Sequence, residues 1–300
     1  MSHPTSPPQI HDDKSPHCIP FILSRLHTYQ QTSKTPNRPF IIGLNGVQGA
    51  GKTTLVSALK ETLKQNEGLE TLVLSIDDLY LTHDEQVNLA RENEDNKLVQ
   101  YRGEPGTHDI PLASKVITSL LAGEPTSIPS YNKSLHNGLG DRSPESTWET
   151  VNLPSQPPIR VLLLEGWCVG FRSLPSSALR QKVAGQSLTL KSHALSHLEF
   201  VNERLKGYDV LTDEFDAFIH IDAEDTGYVY EWREQQEEAL RRDKGVGMSK
   251  EEVRRFVDGY FPAYELFVEG VRGGVVKGEK GRQLRLVVGR DRRVKEVIEI

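Results

Sequence analysis

Cysteine, methionine and tryptophan are scarce in this chain, with two, two and three copies in 300 residues. The two cysteines, Cys18 and Cys168, are too few for a disulfide framework and fall in no metal-ligand spacing. A surplus of positive charge is also lacking. Lysine and arginine number 36 against 42 aspartates and glutamates, a net charge of −6, so no nucleic-acid partner is expected. No apolar run is long enough to cross a bilayer, so no membrane partner is expected either. Residues 1–15 carry Pro4, Pro7 and Pro8 with Asp12 and Asp13. They have neither the apolar core of a secretory signal nor the Arg-rich, acid-poor character of a mitochondrial presequence. They read as a flexible arm, and the cytoplasm is the expected location. What is left is a soluble globular balance, 26% charged and 36% hydrophobic.

The most informative stretch is residues 46–53, Gly-Val-Gln-Gly-Ala-Gly-Lys-Thr, which fits the phosphate-binding loop Gly-x-x-x-x-Gly-Lys-[Ser/Thr]. The pattern needs a strand before it and a helix after it. Residues 39–44 are a short apolar run, and Leu55, Leu59 and Leu63 follow at helical spacing. In such a loop the backbone amides of Gly46, Val47, Gln48, Gly49, Ala50, Gly51, Lys52, Thr53 and Thr54 cradle phosphate oxygens beside a helix N-terminus. Lys52 reaches the outer phosphates, and the Thr53 hydroxyl is placed for Mg²⁺.

Strand and helix patterns alternate along the rest of the chain. Strands are expected at residues 71–76, 160–165, 215–221 and 283–289. Helices are expected at residues 18–31, 53–63, 84–100, 112–121, 225–243 and 250–269, with a helix-prone, broken stretch over 173–207. Residues 102–109 form a loop broken by Pro105 and Gly106, and 123–158 is a long irregular segment. The near-continuous apolar run at 160–165 suits a central parallel strand covered on both faces. Together these predict an α/β doubly wound, mostly parallel sheet of the P-loop NTPase class. Its ligands would sit at the carboxyl ends of the strands.

Carboxylates lie where that architecture places phosphate chemistry. Asp77 and Asp78 end the second strand, and one of them can take a proton from an attacking hydroxyl. Glu165 ends the most apolar strand and can organise Mg²⁺. Arg102, His108 and Asp109 share a loop suited to a small anionic, hydroxylated substrate. Tyr80, Tyr131 and Lys133 are further candidates for that site. Arg241 and Arg242 end a long helical pattern before Gly245 and Gly247, as expected for a lid arginine. The basic stretch 282–295 reads as a solvated face.

Taken together, these segments resemble the glycerate kinases of plants and fungi. The resemblance is carried by Gly-x-Asn-Gly-x-Gln-Gly-x-Gly-Lys-Thr-Thr at 43–54 and Ser-Ile-Asp-Asp-Leu-Tyr-Leu-Thr at 75–82. It continues through Arg-Gly-x-Pro-Gly-Thr-His-Asp at 102–109, Gly-x-Gly-Asp-Arg at 138–142 and Glu-Gly-Trp-x-x-Gly-Phe at 165–171. It implies an ATP-dependent kinase using Mg²⁺ and acting on a small hydroxy acid, most simply D-glycerate. Pantothenate or nucleoside kinases, or a non-catalytic nucleotide-binding regulator, are the alternatives. The resemblance puts Asp77 in the place of the base and a lid arginine at Arg241 or Arg242. It also implies one kinase domain over 39–300 with substrate and lid insertions, preceded by the arm and a leading helix over 1–38. The family's Tyr-Asp-Lys-Ser is Tyr131-Asn132-Lys133-Ser134 here. The guanine-recognition pattern Asn-Lys-x-Asp is absent, which favours ATP as donor.

Overall fold

The computed structural model describes residues 12–300 except 34, 36, 246 and 279, with Lys244 described by its backbone alone. Most of the proline-bearing arm, and residue 246 between the two long helical patterns, fall outside the described residues.

The strands are β1 (Phe40–Gly46), β2 (Thr71–Ser75), β3 (Thr126–Ile128), β4 (Tyr131–Asn132), β5 (Asp141–Arg142), β6 (Glu149–Val151), β7 (Val161–Gly166), β8 (Ala217–Ala223), β9 (Gln283–Val288) and β10 (Val294–Glu299). The helices are α1 (Ser15–Thr32), α2 (Lys52–Gln65), α3 (His83–Glu92), α4 (Ile110–Ala122), α5 (Ser176–Ala184), α6 (Leu195–Leu205), α7 (Asp209–Thr212), α8 (Tyr228–Lys244), α9 (Lys250–Asp258) and α10 (Phe261–Arg272).

The main sheet has the order β10-β9-β8-β1-β7-β2. Its pairings are parallel apart from β10, which runs antiparallel to β9 at the edge. Every residue of β1 and β8 is buried, and β7 is buried apart from the half-buried Glu165. Helices cover both faces of these strands, which is why the sequence reads as continuous apolar runs there rather than as alternation. One hydrophobic cluster extends from Cys18 in α1 to Val288 in β9. Leu55, Leu59 and Leu63 of α2 are each 0% exposed, and burial of such a side chain contributes roughly 1.5–3 kcal/mol. Cys18 and Cys168 are free thiols, both buried.

Register sets the chemistry. Asn45 pairs with Gly166 across β1 and β7, and Ser75 pairs with Glu165 across β2 and β7. The loop after β1, the turn after β2 and the end of β7 therefore open on one edge of the sheet, where ligands of parallel α/β sheets bind.

Three expectations need correction. The helix expected at 250–269 breaks at Gly259 and Tyr260 into α9 and α10. The irregular stretch 123–158 contains two small antiparallel ladders, β3 with β6 and β4 with β5. The basic stretch 282–295 is not a solvated face. Arg285 pairs with Asp222, Arg282 donates to the carbonyls of Phe215 and Asp216, and the segment continues into β10. Among the described residues no helix is long and apolar enough to cross a membrane.

Candidate active site

The strand–loop–helix unit forms as the sequence requires. Gly49 and Gly51 take φ values of +82° and +95°, a region costly for a side chain but open to glycine. α2 starts at Lys52 with no side-chain cap. Its first backbone amides are therefore available to an anion and sit at the positive end of the helix dipole. Lys52 Nζ donates to the carbonyls of Gly46 (2.7 Å) and Val47 (3.3 Å). Removal from water pulls the Lys52 ammonium down from its ordinary value, and Glu165 and Asp77 oppose that. Asn45 ties this loop to the end of β7 by donating to the carbonyls of Trp167 (3.0 Å) and Val169 (2.7 Å).

Lys52, Thr53, Asp77, Tyr80, Arg102, Lys133 and Glu165 line one cleft of about 510 Å³. Asp77 lies in a single 3-10 turn, Ile76–Leu79, whose start is capped by Ser75 Oγ. One carboxylate oxygen of Asp77 takes a hydrogen bond from Lys133 Nζ; the other is buried without a partner among the described residues. Burial is the largest single influence and pushes this carboxyl up, but the charge and hydrogen bond of Lys133, with weaker help from neighbouring groups, bring it below the usual aspartate range. Asp78 turns away. Its Oδ1 accepts from the Tyr131 amide (3.1 Å), and it does not line the cleft. The turn therefore separates the two aspartates into one facing the cleft and one fastening the β4 insertion.

The substrate-loop candidates also divide. Arg102 donates to the carbonyls of Gly138 (2.8 Å) and Leu139 and lies over the Tyr131 ring. His108, Asp109 and Tyr131 are not in the cleft wall. His108 is buried, stacks on Tyr80 with centroids 4.3 Å apart, and meets the Tyr208 hydroxyl through Nδ1 at 2.6 Å. Asp109 caps α4 through the Leu112 amide and pairs with Arg142 at 2.8 Å. These residues hold the loop that presents Arg102 and pack it against Tyr80, which follows the turn after β2. Asn132 accepts from both the amide (3.0 Å) and hydroxyl (2.7 Å) of Ser134. Aspartate would make the same turn, so the departure from Tyr-Asp-Lys-Ser lies outside the cleft wall.

The lid arginines are the main change. Arg241 binds Glu234 and the Met248 carbonyl, Arg242 is exposed, and neither lines the cleft. Arg233 of α8 and Arg255 of α9 line it instead. Arg233 pairs with Glu237 and lies 4.7 Å over the Phe256 ring. A usable sequence signal was present: Arg233 follows Val229 by one helical repeat, on the face that buries Val229 and Trp232. Arg292 carried no such signal. It donates to the Gly49 carbonyl (2.8 Å) and lies over Trp232, buttressing the phosphate loop from the β9–β10 turn.

Among the described residues no cluster of three or more His, Cys, Asp or Glu side chains is placed to hold a metal. The Thr53 hydroxyl and Glu165 carboxylate share the cleft with Lys52. They are hard oxygen donors that fit an Mg²⁺ retaining several waters and phosphate oxygens.

No protein-family model matches the chain. An uncharacterised kinase of Schizosaccharomyces pombe is 40% identical over 242 residues, covering 80% of this chain and 84% of that protein. The chloroplastic D-glycerate 3-kinase of Arabidopsis thaliana is 38% identical over 245 residues, covering 78% of this chain but 50% of its own length. The solved structure of D-glycerate 3-kinase from Cryptococcus neoformans superposes with a TM-score of 0.86 at 33% identity, covering 95% of this chain and 99% of that one. At these identities and coverages, the chain belongs to the D-glycerate 3-kinase family of ATP-using P-loop phosphotransferases.

Proposed function

We propose that the protein transfers the γ-phosphoryl group of ATP to a hydroxyl of D-glycerate. The observation that carries this reading is the free, buried oxygen of Asp77, set in the same cleft as Lys52 and Arg102. The loop amides and Lys52 hold the β- and γ-phosphates. Arg102 binds the acceptor carboxylate, where its planar guanidinium matches two oxygens. Asp77 takes the proton of the acceptor hydroxyl. The hydroxyl oxygen forms its bond to the γ-phosphorus as the bond from that phosphorus to the bridging oxygen breaks, and ADP leaves with the electron pair. Lys133 keeps Asp77 ionised for this task. Arg233 and Arg255 face the transferring phosphoryl from the lid side and stabilise its charge. Thr53 and Glu165 would hold Mg²⁺, which neutralises charge on the β- and γ-oxygens.

The test is ADP release over D-glycerate, pantothenate, uridine and ribulose 5-phosphate, with Asp77→Asn as the control. D-Glycerate alone should support turnover, and the variant should lose roughly 10²–10⁴-fold in kcat with ATP binding retained. Turnover on another acceptor, or full activity in Asp77→Asn, overturns the proposal.

A further inference from the structure

Besides Asp77 and Glu165, the cleft holds a third carboxyl that the transfer step does not use. Glu104, between Arg102 and the Pro105-Gly106 turn, lines the cleft yet is only 1% exposed. Neither of its carboxyl oxygens has a hydrogen-bond partner among the described residues. Burial pushes this carboxyl well above the usual glutamate range. The Ala263 amide is the one group that pulls the other way, and it already donates to the Tyr260 carbonyl at 3.2 Å. A buried polar group without a partner is costly, and such groups in a binding site mark where a ligand completes the hydrogen bonding.

The backbone that carries Glu104 is fixed. Its carbonyl accepts from both the amide (3.1 Å) and hydroxyl (2.9 Å) of Thr107, and the same hydroxyl accepts from the Gly103 amide (2.9 Å). Tyr260 donates to the Arg102 carbonyl (3.4 Å) from the other side. Tyr260, Asp77 and Glu104 all line this one cleft. The cations of the cleft suit the anionic groups of ATP and acceptor. A carboxyl among them repels phosphate when ionised, but pairs well with a hydroxyl in either protonation state.

We propose that Glu104 is a specificity-determining residue of the acceptor site, its carboxyl hydrogen-bonding a second, non-reacting hydroxyl of a small polyhydroxy acid. This rests on the acceptor assigned above. The residue selects D-glycerate over hydroxy acids that offer only the reacting hydroxyl, because a buried polar group left unpaired penalises the analogue.

The experiment compares kcat/KM for D-glycerate and for 3-hydroxypropanoate, which keeps the carboxylate and the primary hydroxyl but lacks the second hydroxyl. The wild type, Glu104→Gln, Glu104→Asp and Glu104→Leu are measured with both. The wild type should prefer D-glycerate, and Glu104→Leu should shrink that preference roughly 10- to 100-fold. Glu104→Asp, which withdraws the carboxyl while keeping a polar group, should lose most of it. Glu104→Gln, with donor and acceptor retained at the same reach, should keep it. An unchanged preference in Glu104→Leu or Glu104→Asp overturns the inference. So does a loss in Glu104→Gln matching that in Glu104→Leu, or equal use of both acids by the wild type. A wild type that does not phosphorylate D-glycerate at all sinks the acceptor assignment instead, so the two failures are distinct.

Discussion

Replacing Gly49 with alanine should cost more than the same change two residues later, because of the two only Gly49 lies against α8. The backbone at Gly49 has φ +82°, where an L-residue costs about 1–2 kcal/mol. A Cβ built there stands 2.6 Å from the Cβ of Trp232. Trp232 is 0% exposed and is fixed by its indole N–H to the Arg290 carbonyl (2.8 Å) and by Arg292 over its ring. It has no room to retreat, so overpacking adds about 1–3 kcal/mol. The reduced freedom of the unfolded chain returns about 0.4–1 kcal/mol. Gly51 has φ +95° but nothing within 4 Å of its Cβ position. Gly51→Ala therefore carries the backbone terms alone. Urea unfolding of the nucleotide-free protein should place Gly49→Ala below Gly51→Ala by about 1–3 kcal/mol, the overpacking term itself. Equal destabilisation of the two variants would mean that the loop and α8 do not press on each other as described.

Lys133→Met leaves burial of Asp77 unopposed by its nearest cation. Asp77, the proposed base, then stays protonated to higher pH, and the acidic limb of kcat/KM should move upward; an unmoved limb would dissociate Lys133 from the group that sets it. Arg233→Met and Arg255→Met should each lower kcat by roughly 10²–10³-fold, as for loss of a donor to transition-state charge, and Arg241→Met should lower it less. Steady-state kinetics of the three variants ranks them, and a larger loss at Arg241 would reverse the lid assignment. Burial holds His108 and His220 neutral, with pKa values pushed down to about 4 from 6.5. The unfolded chain protonates first, so their contribution is complete above pH 6.5 and is lost as pH falls towards 4, on the order of 3 kcal/mol per histidine. Urea titrations across that range should show the decline, with a shallower slope in His220→Gln.

The parts of this site that the sequence announced are those made by adjacent residues. The phosphate loop, the acidic turn after β2 and Glu165 each depend on a strand end and the few residues beyond it. Strand burial and local turn chemistry are visible in a linear string. The residue pattern alone left Asp77 and Asp78 inseparable, and only the family resemblance favoured Asp77, because their opposite directions come from one 3-10 turn and from the pairing of Asp78 with Tyr131, far along the chain. That Arg241 and Arg242 lie away from the cleft was hidden for a related reason. Cations at a helix end attract attention, while the packing of α8 on α9 decides which of them faces the cleft. β10 was missed because four of its six residues are exposed and three are charged, as suits an edge strand. Glu104 hid inside a recognisable motif, since a carboxyl's lack of partners is a property of folded surroundings.

The bond from Arg292 to the Gly49 carbonyl also has a meaning in time. The two residues are separated by 243 positions. At ordinary translation speeds roughly ten to fifty seconds pass between their synthesis. The central strand β1 waits too, since its neighbours β7 and β8 are made long after it. The nucleotide loop thus acquires its buttress only when the β9–β10 hairpin has emerged. A nascent chain therefore lacks this contact until β9 and β10 have been made.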